Sequence, residues 1–263
     1  MNRRILDTNI ISTVYIVDMN KVNDYNIISF GDECTIAKNL NHLNIRNSSM
    51  PFDWFHMYGF QEILNLLYSK QYISLQNLTK IKNIGYNNIL KIAHIHENLN
   101  NIEEEESKFK RRLDKLYDLF DTDNNIIFIK YYRPDIKVDH FSHFFPDITI
   151  NGNENEILND RIINDCVSFT NFVDNINKKY NKHINIKFIQ ICPIKTFIYK
   201  QTIIDNISHT LNFENCIQFI INESPEDGDF SSHPNNFHNK HVMNCLKKIR
   251  KMSYNDINTP VFV

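Results

Sequence analysis

Residues 25–43 read YNIISFGDECTIAKNLNHL, and the change of period inside this stretch decides the fold class. Tyr25–Phe30 is short, apolar and rich in isoleucine and aromatic side chains, the composition of a strand buried on both faces. From Thr35 the pattern turns helical, and Ile36, Ala37, Leu40 and Leu43 fall on one face of a helix over Thr35–Leu43. Between the two lies a strand-to-helix turn, Gly31-Asp32-Glu33-Cys34. Only 5 glycines occur in 263 residues, several-fold fewer than the usual ~7%. A glycine kept directly after a strand therefore marks a backbone need.

Working outward, three further segments have the same buried-strand composition: Asn125–Tyr131 (NIIFIKY), Ile184–Cys192 (INIKFIQIC) and Cys216–Asn222 (CIQFIIN). The stretches between them are long enough to hold helices. This alternation predicts an α/β fold, a three-layer α/β/α sandwich with a mainly parallel central sheet. Ser107–Phe120 places Phe109, Leu113, Leu116 and Phe120 on one helical face. Asp160–Lys178 does so with Ile163, Val167, Phe169, Phe172, Val173 and Ile176, and a last helix is expected over Lys240–Lys251. Residues 60–100 read as helical and less regular, ending in the acidic run Glu103–Glu106. Residues 133–156, with Pro134, Pro146 and NGNENE, read as a long loop. The expectation is a single domain over residues 1–263, with a mostly helical insertion around 56–105 and no internal repeat.

A hydrophobic fraction of 42% in a chain of this length supports a core that needs no disulfides. The net charge of −2 provides no basic field, so no nucleic-acid or membrane partner is expected. Five cysteines (34, 166, 192, 216 and 245) form no CxxC pair. Cys166, Cys192 and Cys216 lie in apolar segments and read as small core residues. An odd count without close spacing suits a reducing compartment. The opening MNRRILDTNIISTVYIV is too interrupted for a membrane span and lacks a signal-peptide pattern. A soluble, cytoplasmic protein is expected. Heavy use of Asn, Ile and Lys suggests an AT-rich genome, as in some large DNA viruses or parasites.

A thiol in the first turn of a helix meets unpaired backbone N–H groups, which favour the nucleophilic thiolate. The same groups, along the turn of Gly31, Asp32 and Thr35, can hold an oxyanion on a carbonyl under attack. Loops at the carboxyl ends of strands are also where open α/β sheets bind ligands. Against this, Asp32 and Glu33 place negative charge beside Cys34, and a cysteine that merely packs at the strand exit remains the alternative. Downstream, SSMPFDWF (48–55) holds the only tryptophan. Asp53 between Phe52 and Trp54 is expected to be part-buried, where a carboxylate needs a histidine or backbone N–H groups as partner. The alternative there is a helix cap, with Pro51 and Trp54 packing.

The series FGDECTIAKNLNHLNIRNSSMPFDWF (30–55) resembles the opening motif of a papain-like cysteine peptidase family found in bacteria and some large DNA viruses. The matching positions are Gly31, Cys34, Ala37, Leu40, Arg46 and Pro51 to Trp54. HIHENL (94–99) is similar, more weakly, to the family's His-Asp-Phe segment, with Glu97 where the family has Asp, and KFKRRLDKL (108–116) continues the likeness. The resemblance covers about the first half of the chain. It implies a thiol hydrolase with Cys34 as nucleophile, His96 as base, and Arg46 and Trp54 near the substrate pocket.

His94 offers a competing register for the base. A second choice comes from chain order: residues 223–249 follow the last strand and carry Asp229 and His233. A late Asp/His loop is similar, at the level of the fold, to SGNH-type esterases, although Asp229 and His233 have three residues between them where that motif has two. His233, His238 and His241 have no standard metal-ligand spacing, and His140 and His143 are judged the same way, so no metal is expected. No P-loop, dinucleotide fingerprint, G-x-S-x-G or H-E-x-x-H occurs. The leading reading is acyl transfer through Cys34, with His96 or His233 as base and Asp53 or Asp229 orienting it. Such chemistry needs no cofactor. Its substrate would be a peptide, acyl or glycan compound. The rivals are an SGNH-like acyl hydrolase and a non-catalytic viral protein that engages a host partner.

Overall fold

The structure is a computed structural model of the chain. It describes residues 24–31, 34–46, 48–72, 74–75, 79–81, 84–94, 100–122, 125–132, 145, 154–181, 183–193, 215–221, 237–258 and 261–262. In chain order the elements are β1 (Tyr25–Ser29), α1 (Thr35–His42), β2 (Phe55–Met57), α2 (Phe60–Ser69), β3 (Thr79–Ile81), β4 (Ile84–Asn87) and β5 (Ile92–His94). Then follow α3 (Ile102–Asp121), β6 (Asn125–Tyr131), α4 (Glu154–Tyr180), β7 (Ile186–Pro193), β8 (Cys216–Ile221), α5 (Phe237–Arg250), a 3-10 turn (Tyr254–Asp256) and β9 (Val261–Phe262).

The main sheet has the order β1-β6-β7-β8-β9, and every neighbouring pair is parallel. The period-2 alternation of its strands splits the core between two faces. Ile28, Phe30, Ile126, Phe128, Ile186 and Phe188 pack with residues of α2, α3 and α4. Ile27, Ile127, Ile129, Ile189, Ile191, Ile217 and Phe219 pack with residues of α1 and α5 on the other side. The result is the α/β/α sandwich with a parallel centre that the strand composition predicts. A strand buried on both faces has no polar side to write, which is why these segments read as continuous apolar runs. Fully burying a side chain such as Ile63 or Leu67 of α2, both at 0% exposure, contributes roughly 1.5–3 kcal/mol.

Between residues 55 and 94 the structure differs from a mostly helical reading. Among the described residues there, α2 is the one α-helix, and β2, β3, β4 and β5 build a four-stranded antiparallel sheet in the order β2-β5-β4-β3. Its strands are 3 or 4 residues long, too short to write a readable alternation. The acidic run is not the end of this region but the first turn of α3. Asn101 caps that helix by accepting from the Glu104 N–H, and Glu103, Glu104 and Glu105 sit at the positive end of its dipole. Residues 154–156, read as the end of a loop, already belong to α4. Among the described residues no helix is long and apolar enough to cross a membrane.

Candidate functional site

β1 brings the chain to the carboxyl edge of the main sheet, and the Phe30 N–H extends the ladder by one bond to the Ile129 carbonyl at 2.8 Å. Phe30 is fully buried and its ring meets Phe52, Phe60 and Phe128 at 5.1, 5.1 and 4.8 Å. Gly31 then turns the chain with φ at +56°. A Cβ at Gly31 would lie 2.7 Å from the Met57 Cβ. Both the left-handed backbone and the contact with β2 demand glycine.

Cys34 occupies the cap position of α1 with dihedrals of −68° and −6°, and its carbonyl accepts from the Lys38 N–H at 2.8 Å. Its side chain makes no capping hydrogen bond. The thiol is partly exposed, whereas Cys166, Cys192 and Cys245 are buried. The N–H groups of the first helical turn have no acceptor within a helix, so α1 presents donors beside this thiol. Thr35 is buried. Cys216, read as a core residue, is partly exposed, and its thiol lies 3.6 Å from the Cys166 carbonyl.

The loop from Arg46 to Trp54 folds under the same turn. Phe52 carries it into the core through Phe30, Phe55 and Phe109. Asp53 is 1% exposed and pairs with Arg46, while its Oδ2 also accepts from the Met50 N–H at 2.6 Å. The Arg46 Nε donates to the Ser48 carbonyl at 2.9 Å. Burial pushes the Asp53 carboxyl up to about 6, against the pull of Arg46, the Met50 N–H and Arg112. Trp54, next in the chain, is partly exposed.

The small sheet is held against this turn from the other side. Arg161 of α4 donates to the Met57 carbonyl at 3.2 Å and lies over the Tyr58 ring at 5.7 Å. Met57 pairs with Ile92, and Phe55 with His94, the last residue of β5. Asp32, His96, Asp229 and His233 lie outside the described residues, as do His140 and His143. The late Asp/His loop, one of the two features behind the likeness to SGNH esterases, thus lies outside the described residues. Among the described residues, no group of three His, Cys, Asp or Glu side chains could hold a metal ion. His241 is buried in α5.

A polar row in the core escaped the sequence reading. Lys130, Gln190 and Gln218 are paired in register across β6, β7 and β8, and all three are buried. The Lys130 ammonium donates to Asp165 Oδ2 at 2.7 Å, as does the Tyr132 hydroxyl. Gln190 donates to the Tyr132 hydroxyl at 3.2 Å and to the Ile162 carbonyl at 2.8 Å. The Lys130 ammonium also lies 4.9 Å from the Phe60 ring centre. The available signal was a lysine inside NIIFIKYY, where a strand buried on both faces has no wet side to receive it.

No curated protein and no solved structure matches the chain. Residues 25–91, about a quarter of the chain and ending short of His96, match the family described as "Putative papain-like cysteine peptidase", a span that takes in Gly31, Cys34, Arg46 and Pro51 to Trp54.

Proposed function

We propose that the chain is a cysteine-dependent hydrolase in which Cys34 is the nucleophile and His96 the base. The observation that supports this reading is the place of Cys34, partly exposed at the cap of α1 just after the left-handed Gly31 turn, inside the span that matches the family. Met57 touches Gly31. Beside β2, β5 runs from Ile92, opposite Met57, to His94, opposite Phe55, and His96 is taken as the base from its likeness to the family's histidine segment.

In this reading the Cys34 thiolate adds to a carbonyl carbon, and the N–H groups of the first turn of α1 hold the resulting oxyanion. His96 delivers the proton to the departing amine or alcohol, leaving a thioester. Water, deprotonated by His96, then cleaves the thioester, releasing the acid and restoring the thiol. Asp53 acts at one remove: paired with Arg46, it holds the loop that carries Phe52 beneath the turn.

The test is the rate of iodoacetamide labelling at neutral pH, followed by mass spectrometry at each cysteine. Cys216 is the internal standard because it is also partly exposed. Cys245, whose thiol burial pushes up to about 12, stays unlabelled until the protein unfolds. Cys34 is expected to react at least tenfold ahead of Cys216, and His96→Ala to remove that lead while His233→Ala preserves it. A Cys34 rate equal to that of Cys216 overturns the nucleophile. A lead lost in His233→Ala and kept in His96→Ala overturns the choice of base.

A further inference from the structure

A cavity of about 590 Å³ lies between α2 and the turn that joins β4 to β5, and Cys34 is not among the residues lining it. Its size falls within the range of ligand sites, roughly 300–1,000 Å³. The lining includes Asn65, whose side-chain oxygen accepts from Gln61 at 2.9 Å, and Gln71 and Asn88, with Tyr72 and Ile89 beside them.

The turn that forms one wall is tightly built. The Asn87 side-chain oxygen accepts from the Ile89 N–H at 3.1 Å and the Leu90 N–H at 2.9 Å. The Lys91 carbonyl accepts from the Tyr58 and Gly59 N–H groups at 2.9 and 3.2 Å. Gly59 packs so closely that a Cβ there would sit 2.2 Å from the Leu90 carbonyl oxygen. On this fixed frame Ile89 is 73% exposed, and Tyr72, which follows α2, is 50% exposed. These are two of the three large hydrophobic side chains found exposed among the described residues. A rigid turn that holds an isoleucine out in water, over a cavity, is preorganised for an apolar contact.

The charge at the site selects among occupants. Among the described residues that line it, Glu62 is the one carboxylate, and it is paired with Lys91. An ionic ligand would find no uncommitted counter-charge there. Carboxamides donate and accept together, which matches the peptide group. Tyr72 is a poor platform for a sugar ring, because the Lys110 ammonium lies 5.0 Å from its ring centre and its hydroxyl is bonded to Asp114. Ile89 supplies an aliphatic surface suited to a side chain.

We propose that this cavity binds an uncharged, extended peptide segment carrying apolar side chains, with Ile89 as its apolar contact and the carboxamides bonding its backbone. The proposal does not depend on Cys34 being a nucleophile, and it is tested in the full chain carrying Cys34→Ala, so that no turnover can intervene. The probes are the capped peptides Ac-Ala-Leu-Asn-Leu-Ala-NH2 and Ac-Ala-Asp-Asn-Asp-Ala-NH2, and maltotetraose, each titrated to millimolar concentration against 15N-labelled protein. The leucine peptide is expected to shift the amides of Asn65, Tyr72, Asn88 and Ile89. Ile89→Asp should weaken its binding about tenfold without changing the melting temperature, since the side chain is exposed. Four results would overturn the proposal: no shifts with the leucine peptide, equal binding of the acidic peptide, shifts with maltotetraose alone, or a dimer of the parent protein that Ile89→Asp converts to monomer.

Discussion

Replacing Arg46 with methionine tests whether the buried pair under the Cys34 turn governs the stability of this part of the molecule. The Asp53 side chain is 1% exposed and that of Arg46 7%, so the variant leaves the Asp53 carboxyl in the core with the Met50 N–H as donor and the weaker pull of Arg112. Breaking a buried pair in this way costs about 3–5 kcal/mol. The pH dependence separates this account from simple loss of packing. Asp53 titrates near 6 in the folded protein, above its ordinary 3.8, so the native state holds this proton more firmly than the unfolded chain. Its contribution to stability is therefore fully present below about pH 4 and is lost as the pH rises through 6. At pH 7 the attraction to Arg46 is in force, and ionisation of Asp53 against a pKa near 6 is worth about 1.4 kcal/mol relative to the protonated state. Without Arg46 that carboxyl is pushed further up and stays protonated, so this gain disappears at pH 7 and is nearly absent from both proteins at pH 5. The loss caused by Arg46→Met, measured as the difference in urea unfolding free energy from wild type, should thus be about 1 kcal/mol smaller at pH 5 than at pH 7. Arg46→Met with Asp53→Leu should fall short of the single variant's loss, leaving chiefly the orphaned Met50 N–H at about 1–3 kcal/mol. An equal or larger loss at pH 5, or a loss under about 1 kcal/mol at pH 7, would refute the reasoning.

Gly31→Ala combines a positive φ with a contact on Met57 and should cost about 2–4 kcal/mol. Because part of that cost is steric, Gly31→Ala with Met57→Ala should be destabilised by less than the sum of the two single variants in urea unfolding; strict additivity would show that Met57 does not limit the position. Lys130→Met leaves Asp165 with the Tyr132 hydroxyl as its neighbour in the core and should cost about 3–5 kcal/mol. Adding Asp165→Asn, which removes the charge and keeps an acceptor for Tyr132, should recover part of the loss in thermal melts, and no recovery would mean that the pair is not what the core depends on.

The parallel sheet was legible in the sequence because a strand buried on both faces declares itself locally. Tyr25–Phe30, Asn125–Tyr131, Ile184–Cys192 and Cys216–Asn222 are each an apolar run that only a covered sheet can house, and the structure forms β1, β6, β7 and β8 on them. The helical face of Thr35–Leu43 and the lone glycine before it placed Cys34 at a strand-to-helix turn for the same local reason. The antiparallel sheet was not legible, because strands of three or four residues carry too few side chains to show a period.

What tertiary structure decided is partnership. Asp53 called for a partner, but nothing near it in sequence distinguishes Arg46 from a histidine brought in from elsewhere. Lys130 finds Asp165 across 35 residues, and Arg161 reaches Met57 across 104. Hydrophobic period is a property of neighbours along the chain, and so the sequence alone determined the layers of this protein and the place of its thiol. Desolvated charges, orphan donors and a cavity wall are resolved only by whatever the fold brings within about 3 Å. For that reason the polar row behind the sheet, the anchoring of the Gly31 turn by β2, and the cleft beneath Ile89 became visible only when the chain was folded.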